Sequence, residues 1–152
     1  MKNVCLGMIS GFLLVLPSLA AEPGFHARFI GGTIPGIELK TNARLDLTSP
    51  DALALRGGAV VFRIDYAKIN TVEYGQTVSR RYAAAVLISP VLLLSKARKH
   101  FVTVGYEDPD GNQQALVFRV DKGDIRSVLA SLEARTGRRV EFQDDEARKG
   151  SR

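Results

Sequence analysis

The sequence predicts an α+β fold that is mainly β, an antiparallel meander followed by one C-terminal amphipathic helix. Three observations carry that expectation. Val60, Phe62, Ile64 and Tyr66 recur at period two with Val61, Arg63 and Asp65 between them, the pattern of a half-buried strand. Asp108-Pro109-Asp110-Gly111-Asn112 separates two runs rich in β-branched and aromatic residues, as a hairpin turn does. Ile125, Val128, Leu129 and Leu132 then fall at i, i+3, i+4 and i+7, which is one stripe of a helix.

The first 21 residues read as a secretory signal peptide. Lys2 gives a positive start, an apolar run extends from Val4 to Leu16, and Pro17, Ser18, Leu19, Ala20 and Ala21 supply small residues for cleavage near Ala20/Ala21. The apolar run is short for a spanning helix, which needs about 20 residues. The protein is therefore expected in the periplasm or the secreted fraction. Cys5, the only cysteine, lies inside this region, so the exported part has no disulfide or thiol chemistry. Residues 22–142 are of single-domain size, and 143–152 read as a mobile polar tail.

Along the exported part, Ala43 to Leu47 alternates with Leu45 and Leu47 on one face. Thr48-Ser49-Pro50-Asp51 is a turn, Leu53 and Leu55 resume the alternation, and Gly57-Gly58 makes a tight turn into the Val60 strand. Ile69, Val72 and Tyr74 mark another strand before Gly75. His100 to Glu107 and Gln114 to Val120 flank the Asp-Gly turn, with Leu116, Phe118 and Val120 on one face. A helix is expected from Lys122 to Thr136, with Asp121 able to cap its start and Gly137 its stop. Val140 and Phe142 fit a short extended piece that tucks back.

Residues 79–100 follow a different pattern. Ser79-Arg80-Arg81-Tyr82 leads into the apolar stretch Ala83 to Leu94, and Ser95-Lys96-Ala97-Arg98-Lys99-His100 closes it. The apolar part, 12 residues long, would span about 18 Å as a helix against a hydrocarbon core of about 30 Å. It is either buried core or an apolar wedge with basic flanks, which suits an anionic lipid surface or a partner. In the second case Arg80, Arg81, Lys96, Arg98 and Lys99 form the contact surface, with Leu87, Ile88, Leu92 and Leu93 as apolar contacts.

The phrase Arg63-Ile64-Asp65-Tyr66-Ala67-Lys68-Ile69-Asn70-Thr71-Val72-Glu73-Tyr74 resembles the I-P-Y-x-x-I-x-x-V-E strand and turn of pleckstrin-homology-like, GRAM-related bacterial domains, with Asp65 where proline is common. Lys99-His100-Phe101-Val102-Thr103-Val104-Gly105-Tyr106 resembles their later K-x-H-F-L-T-I-x-Y strand. The resemblance covers roughly residues 28–142. It implies an antiparallel, partly open barrel of about seven strands, capped by the C-terminal helix. Relatives of that shape bind phosphoinositides, peptides or protein partners. The basic cluster of phosphoinositide binders is absent from the first strands, where Arg28, Lys40 and Arg44 are widely spaced.

No catalytic motif is present. His26 and His100 are far apart and lack ligand spacing. Gly31-Gly32-Thr33-Ile34-Pro35-Gly36 lacks the lysine and serine of a phosphate loop. Asp108, Asp110 and Asn112 lack the further ligands of a calcium loop. Asp144, Asp145 and Glu146 read as solvated tail charge. The formal charge of +5 is modest and fits solubility or an anionic surface. The expectation is an exported, non-enzymatic binding or scaffolding module without cofactor or metal. It would engage a protein partner or an anionic membrane surface, with no nucleic-acid role and no membrane span after cleavage. A small apolar-ligand carrier is the alternative.

Overall fold

A computed structural model describes residues 23–34, 36–77 and 99–150. Its strands are β1 (Phe25–Gly32), β2 (Asn42–Asp46), β3 (Ala52–Gly57), β4 (Val60–Asp65), β5 (Ile69–Gly75), β6 (His100–Glu107), β7 (Gln113–Val120) and β8 (Glu141–Phe142). A 3-10 turn, Tyr66–Lys68, joins β4 to β5. The helices are α1 (Ile125–Thr136) and α2 (Asp145–Gly150).

The strands form one open sheet in the order β4-β3-β2-β1-β7-β6-β5-β8. The mainly β, α+β class is as the sequence predicts. The sheet is mixed, however, and has eight strands among the described residues, because β8 joins β5 in parallel. Helix α1 reverses the direction set by β7, so the chain re-enters the sheet running with β5 rather than against it.

The sheet is strongly curled. Phe62 on β4 and Tyr106 on β6 lie five strand steps apart, about 24 Å on a flat sheet, yet their ring centroids are 6.1 Å apart. The curl wraps one apolar face around a single core that includes Phe29, Leu45, Leu53, Leu55, Leu116 and Phe118. Ile125, Val128, Leu129 and Leu132 of α1 join this core, as their spacing predicts.

Two register shifts adjust which side chains face inward. Ile69 and Val72 are three residues apart and would lie on opposite faces of a regular strand. A shift between Ile69 and Thr71 brings both into the core. A similar shift between Phe29 and Gly31 bends the end of β1. Gly32 there has φ +156°, and a Cβ would meet the Ala115 carbonyl at 2.9 Å. Phe101, Thr103, Ala115 and Val117 are buried on the opposite face from Val102, Leu116 and Phe118. The middle of the sheet is thus buried on both sides, which is unlike a simple one-faced antiparallel sheet.

The ends of α1 differ from expectation at one side only. Asp121 does not cap it. Residues 122–124 form a turn closed by Asp124 N–H to the Asp121 carbonyl at 3.0 Å, and the helix starts at Ile125. Gly123, a poor helix former, favours that turn. Gly137 ends the helix in the left-handed conformation, φ 66°, as predicted. Within the stretch read as a polar tail, α2 is held by Asp144, whose Oδ1 accepts the Ala147 N–H at 2.6 Å, and by the fully buried Ala147.

Candidate functional site

The site grows from the way β4 ends. The Gly57-Gly58 turn folds β4 onto β3, with pairs running from Gly57–Val60 to Ala52–Asp65. After Asp65 the 3-10 turn carries the chain away. Its Tyr66 side chain is buried, and the Tyr66 N–H donates to the Asp51 carbonyl at 2.9 Å. β5 consequently pairs with β6 and β8. Among the described residues β4 has β3 as its only neighbour.

The free side of β4 faces a cleft of about 570 Å³. Phe62, Arg63, Ile64 and Asp65 all line it. Successive strand residues point to opposite faces, so a cavity touching four in a row runs along the strand's edge. The far wall is Tyr106, Glu107, Asp108 and Pro109 at the end of β6, with Thr33, Gln114 and Lys68 completing the lining.

That wall is rigidly built. Oδ1 of Asp108 accepts the N–H groups of Asp110 at 3.0 Å and Asn112 at 2.8 Å, and its Oδ2 accepts from Gln114 Nε2 at 2.9 Å. The Asn112 N–H, followed by the Gln114 amide, holds the Asp108 carboxyl below the usual carboxylate range. Gly111 turns with φ 81°. The motif is a hairpin turn, as read from the sequence. Burial pushes the Tyr106 phenol above its ordinary pKa, with the neighbouring Thr33 side chain opposing the rise. The Thr33 hydroxyl donates to Gln114 Oε1.

The floor of the cleft is thus apolar, formed by Phe62, Ile64 and Tyr106. Its rim carries Arg63 and Lys68 against Asp65 and Glu107, all exposed. This combination can hold an apolar group and pair charges of both signs around it.

A second, smaller hollow of about 370 Å³ lies against β1, β2 and β7, lined by His26, Ala27, Arg28, Asn42, Arg119 and Asp121. Arg28 stands directly opposite Arg119 across the β1–β7 ladder, and its Nε donates to Asn42 Oδ1 at 3.2 Å.

His100 is half-buried and lines neither hollow. Its ring stacks on Tyr74 at 6.0 Å, and Nδ1 is 2.5 Å from the Tyr74 hydroxyl. Burial, then nearby Lys122, lowers its pKa. Burial, with a smaller push from Asp144, raises that of Tyr74. Both shifts favour the uncharged forms of the two groups, and the direction of their hydrogen bond follows the imidazole's tautomer. Among the described residues no three His, Cys, Asp or Glu side chains are grouped to hold a metal ion.

Of the contact residues read from the sequence, Arg80, Arg81, Lys96, Arg98, Leu87, Ile88, Leu92 and Leu93 lie outside the described residues, as does the signal-peptide region 1–21. Lys99 is described. Its N–H donates to the Gln76 carbonyl at 3.3 Å at the start of β6, roughly 23 Å along the strand from Tyr106 and away from the cleft. Sequence reasoning missed Phe62, Arg63, Asp65, Lys68 and Tyr106 as site residues. One signal was available. Asp65-Tyr66-Ala67-Lys68 lacks the Asn-Gly or Asp-Gly chemistry that would hairpin β4 onto β5, and among the described residues β4 ends the sheet. No helix among the described residues is long and apolar enough to cross a membrane. The sequence matches no protein-family description and no curated protein.

Proposed function

We propose that the protein is an exported, non-catalytic binding module of pleckstrin-homology-like shape that engages a protein partner through the cleft beside β4. The observation that carries this reading is the cleft itself, with its apolar floor, its rim of mixed charge and its wall fixed by Asp108. The order β4-β3-β2-β1-β7-β6-β5 with a following amphipathic helix supports the family part. The small-ligand carrier is less well supported. Its ligand would need an empty interior, and Phe29, Leu116, Phe118 and Leu132 fill the space between sheet and helix.

The test is photo-crosslinking in the host envelope, with a benzophenone side chain at Lys68 on the cleft rim and, separately, at exposed Ala134 on α1. A discrete adduct from position 68 that is missing from position 134 is the expected result. Adducts that are the same from both positions would remove the cleft from consideration.

A second reading has its own observation. His26, Arg28 and Arg119 converge on the second hollow, and like charges placed directly opposite on a sheet repel. An anion between Arg28 and Arg119 would relieve that repulsion, so this face suits an anionic membrane surface.

A further inference from the structure

We propose that β4 receives its partner as an added β-strand, an extended segment lying antiparallel to Val60–Asp65 and carrying the pattern basic–apolar–acidic–apolar. The inference rests on the reading of the cleft as the binding site, and it specifies the chemistry of the segment bound there.

Three features lead to it. The cleft runs along the edge of β4 rather than over a face, because it touches four consecutive residues. A strand edge offers alternating N–H and C=O groups, and the ligand that pairs with them along their length is another extended backbone. The edge is also undefended in its first half. Val60-Val61-Phe62 contains no proline or lysine, and Val61 is 50% exposed, whereas sheet edges that must avoid pairing carry charges, prolines or bulges.

The side chains set the pattern. Cross-strand neighbours share a face. On the outer face Arg63 asks for an acidic neighbour and Asp65 for a basic one. On the inner face Phe62 and Ile64 ask for apolar ones, which enter the slot against Tyr106. Read from its N-terminus, an antiparallel segment meets Asp65 first. It therefore runs basic, apolar, acidic, apolar. An antiparallel arrangement also continues the pairing of β3 with β4.

The experiment is fluorescence anisotropy with the exported chain and a dye-labelled, end-blocked eight-residue peptide centred on Lys-Val-Glu-Val. Its comparison peptides are the charge-reversed Glu-Val-Lys-Val and a version N-methylated at alternate residues. The expected result is binding of the first peptide, about ten-fold weaker binding of the reversed one, and loss with N-methylation. The double variant Arg63→Asp, Asp65→Arg changes only exposed side chains and should invert the preference between the two charged peptides. Equal affinity for both, a reversed preference in the unmodified protein, or binding indifferent to N-methylation overturns the proposal. If no peptide binds while Lys68 still yields its specific crosslink, strand addition is wrong and the cleft reading survives. If both fail, the cleft reading falls with it.

Discussion

At the scale of single residues, the stacked rings of Tyr74 on β5 and His100 at the start of β6 show how burial turns an ionisable group into a structural one. In the sequence His100 stands out only by its distance from His26 and its lack of ligand spacing, and the contribution of Lys122 to its lowered pKa comes from a residue 22 positions further along the chain. The larger cause, burial against Tyr74, depends on a contact between β5 and β6 that no local pattern announces. The sign of the pH effect follows. A histidine whose folded pKa is depressed takes up protons more readily when unfolded, so stability rises with pH across that window. The contribution is fully present above the unfolded value near 6.5 and is lost as pH falls from there toward the folded pKa. Thermal melts between pH 7.5 and 5.5 should therefore show a falling Tm, and His100→Asn should flatten that slope while keeping a hydrogen-bonding group for the Tyr74 hydroxyl. An unchanged slope would show that His100 titrates alike in both states.

At the scale of elements, legibility tracked how regular each element is. The stripe Ile125, Val128, Leu129, Leu132 was readable because a helix of constant period presents the same face throughout, and all four are buried. The turn at Asp108–Asn112 was readable because Asp and Gly each have a distinct backbone role there. The inward face of β5 was not, because a register shift breaks the period-two rule between Ile69 and Thr71. The start of α1 was displaced for a related reason: Gly123 makes the turn before Asp124 cheaper than another helical turn. Because Leu132 is fully buried in the common core, Leu132→Ala should destabilise the fold by about 2–5 kcal/mol. Ser127→Ala on the exposed side of the same helix should change stability by less than about 0.5 kcal/mol. Equilibrium urea unfolding of the two variants measures both, and equal midpoints would mean that α1 does not cap the core.

At the scale of the whole molecule, what remained hidden is which strands become neighbours. The β1–β7 pairing joins segments some ninety residues apart in the chain, and it alone sets Arg28 opposite Arg119. Neither arginine is conspicuous in the sequence, where the basic clusters at 80–81 and 96–99 dominate. The same topology separates the two hollows by position. The cleft of mixed charge lies along the β4 edge, while the basic hollow lies against β1, β2 and β7. If the hollow meets anionic lipid, binding is electrostatic and reaches only about 8 Å from the surface at physiological salt. Sedimentation with phosphatidylglycerol vesicles should then pull the protein down at low salt and release it above about 0.5 M salt, where screening is nearly complete. Vesicles of phosphatidylcholine should leave it in solution. The pair Arg28→Glu and Arg119→Glu should lose the low-salt pelleting and keep the specific crosslink from Lys68. Pelleting that survives both the salt and the double substitution would mean the apolar stretch 83–94 carries the membrane contact and the two arginines do not.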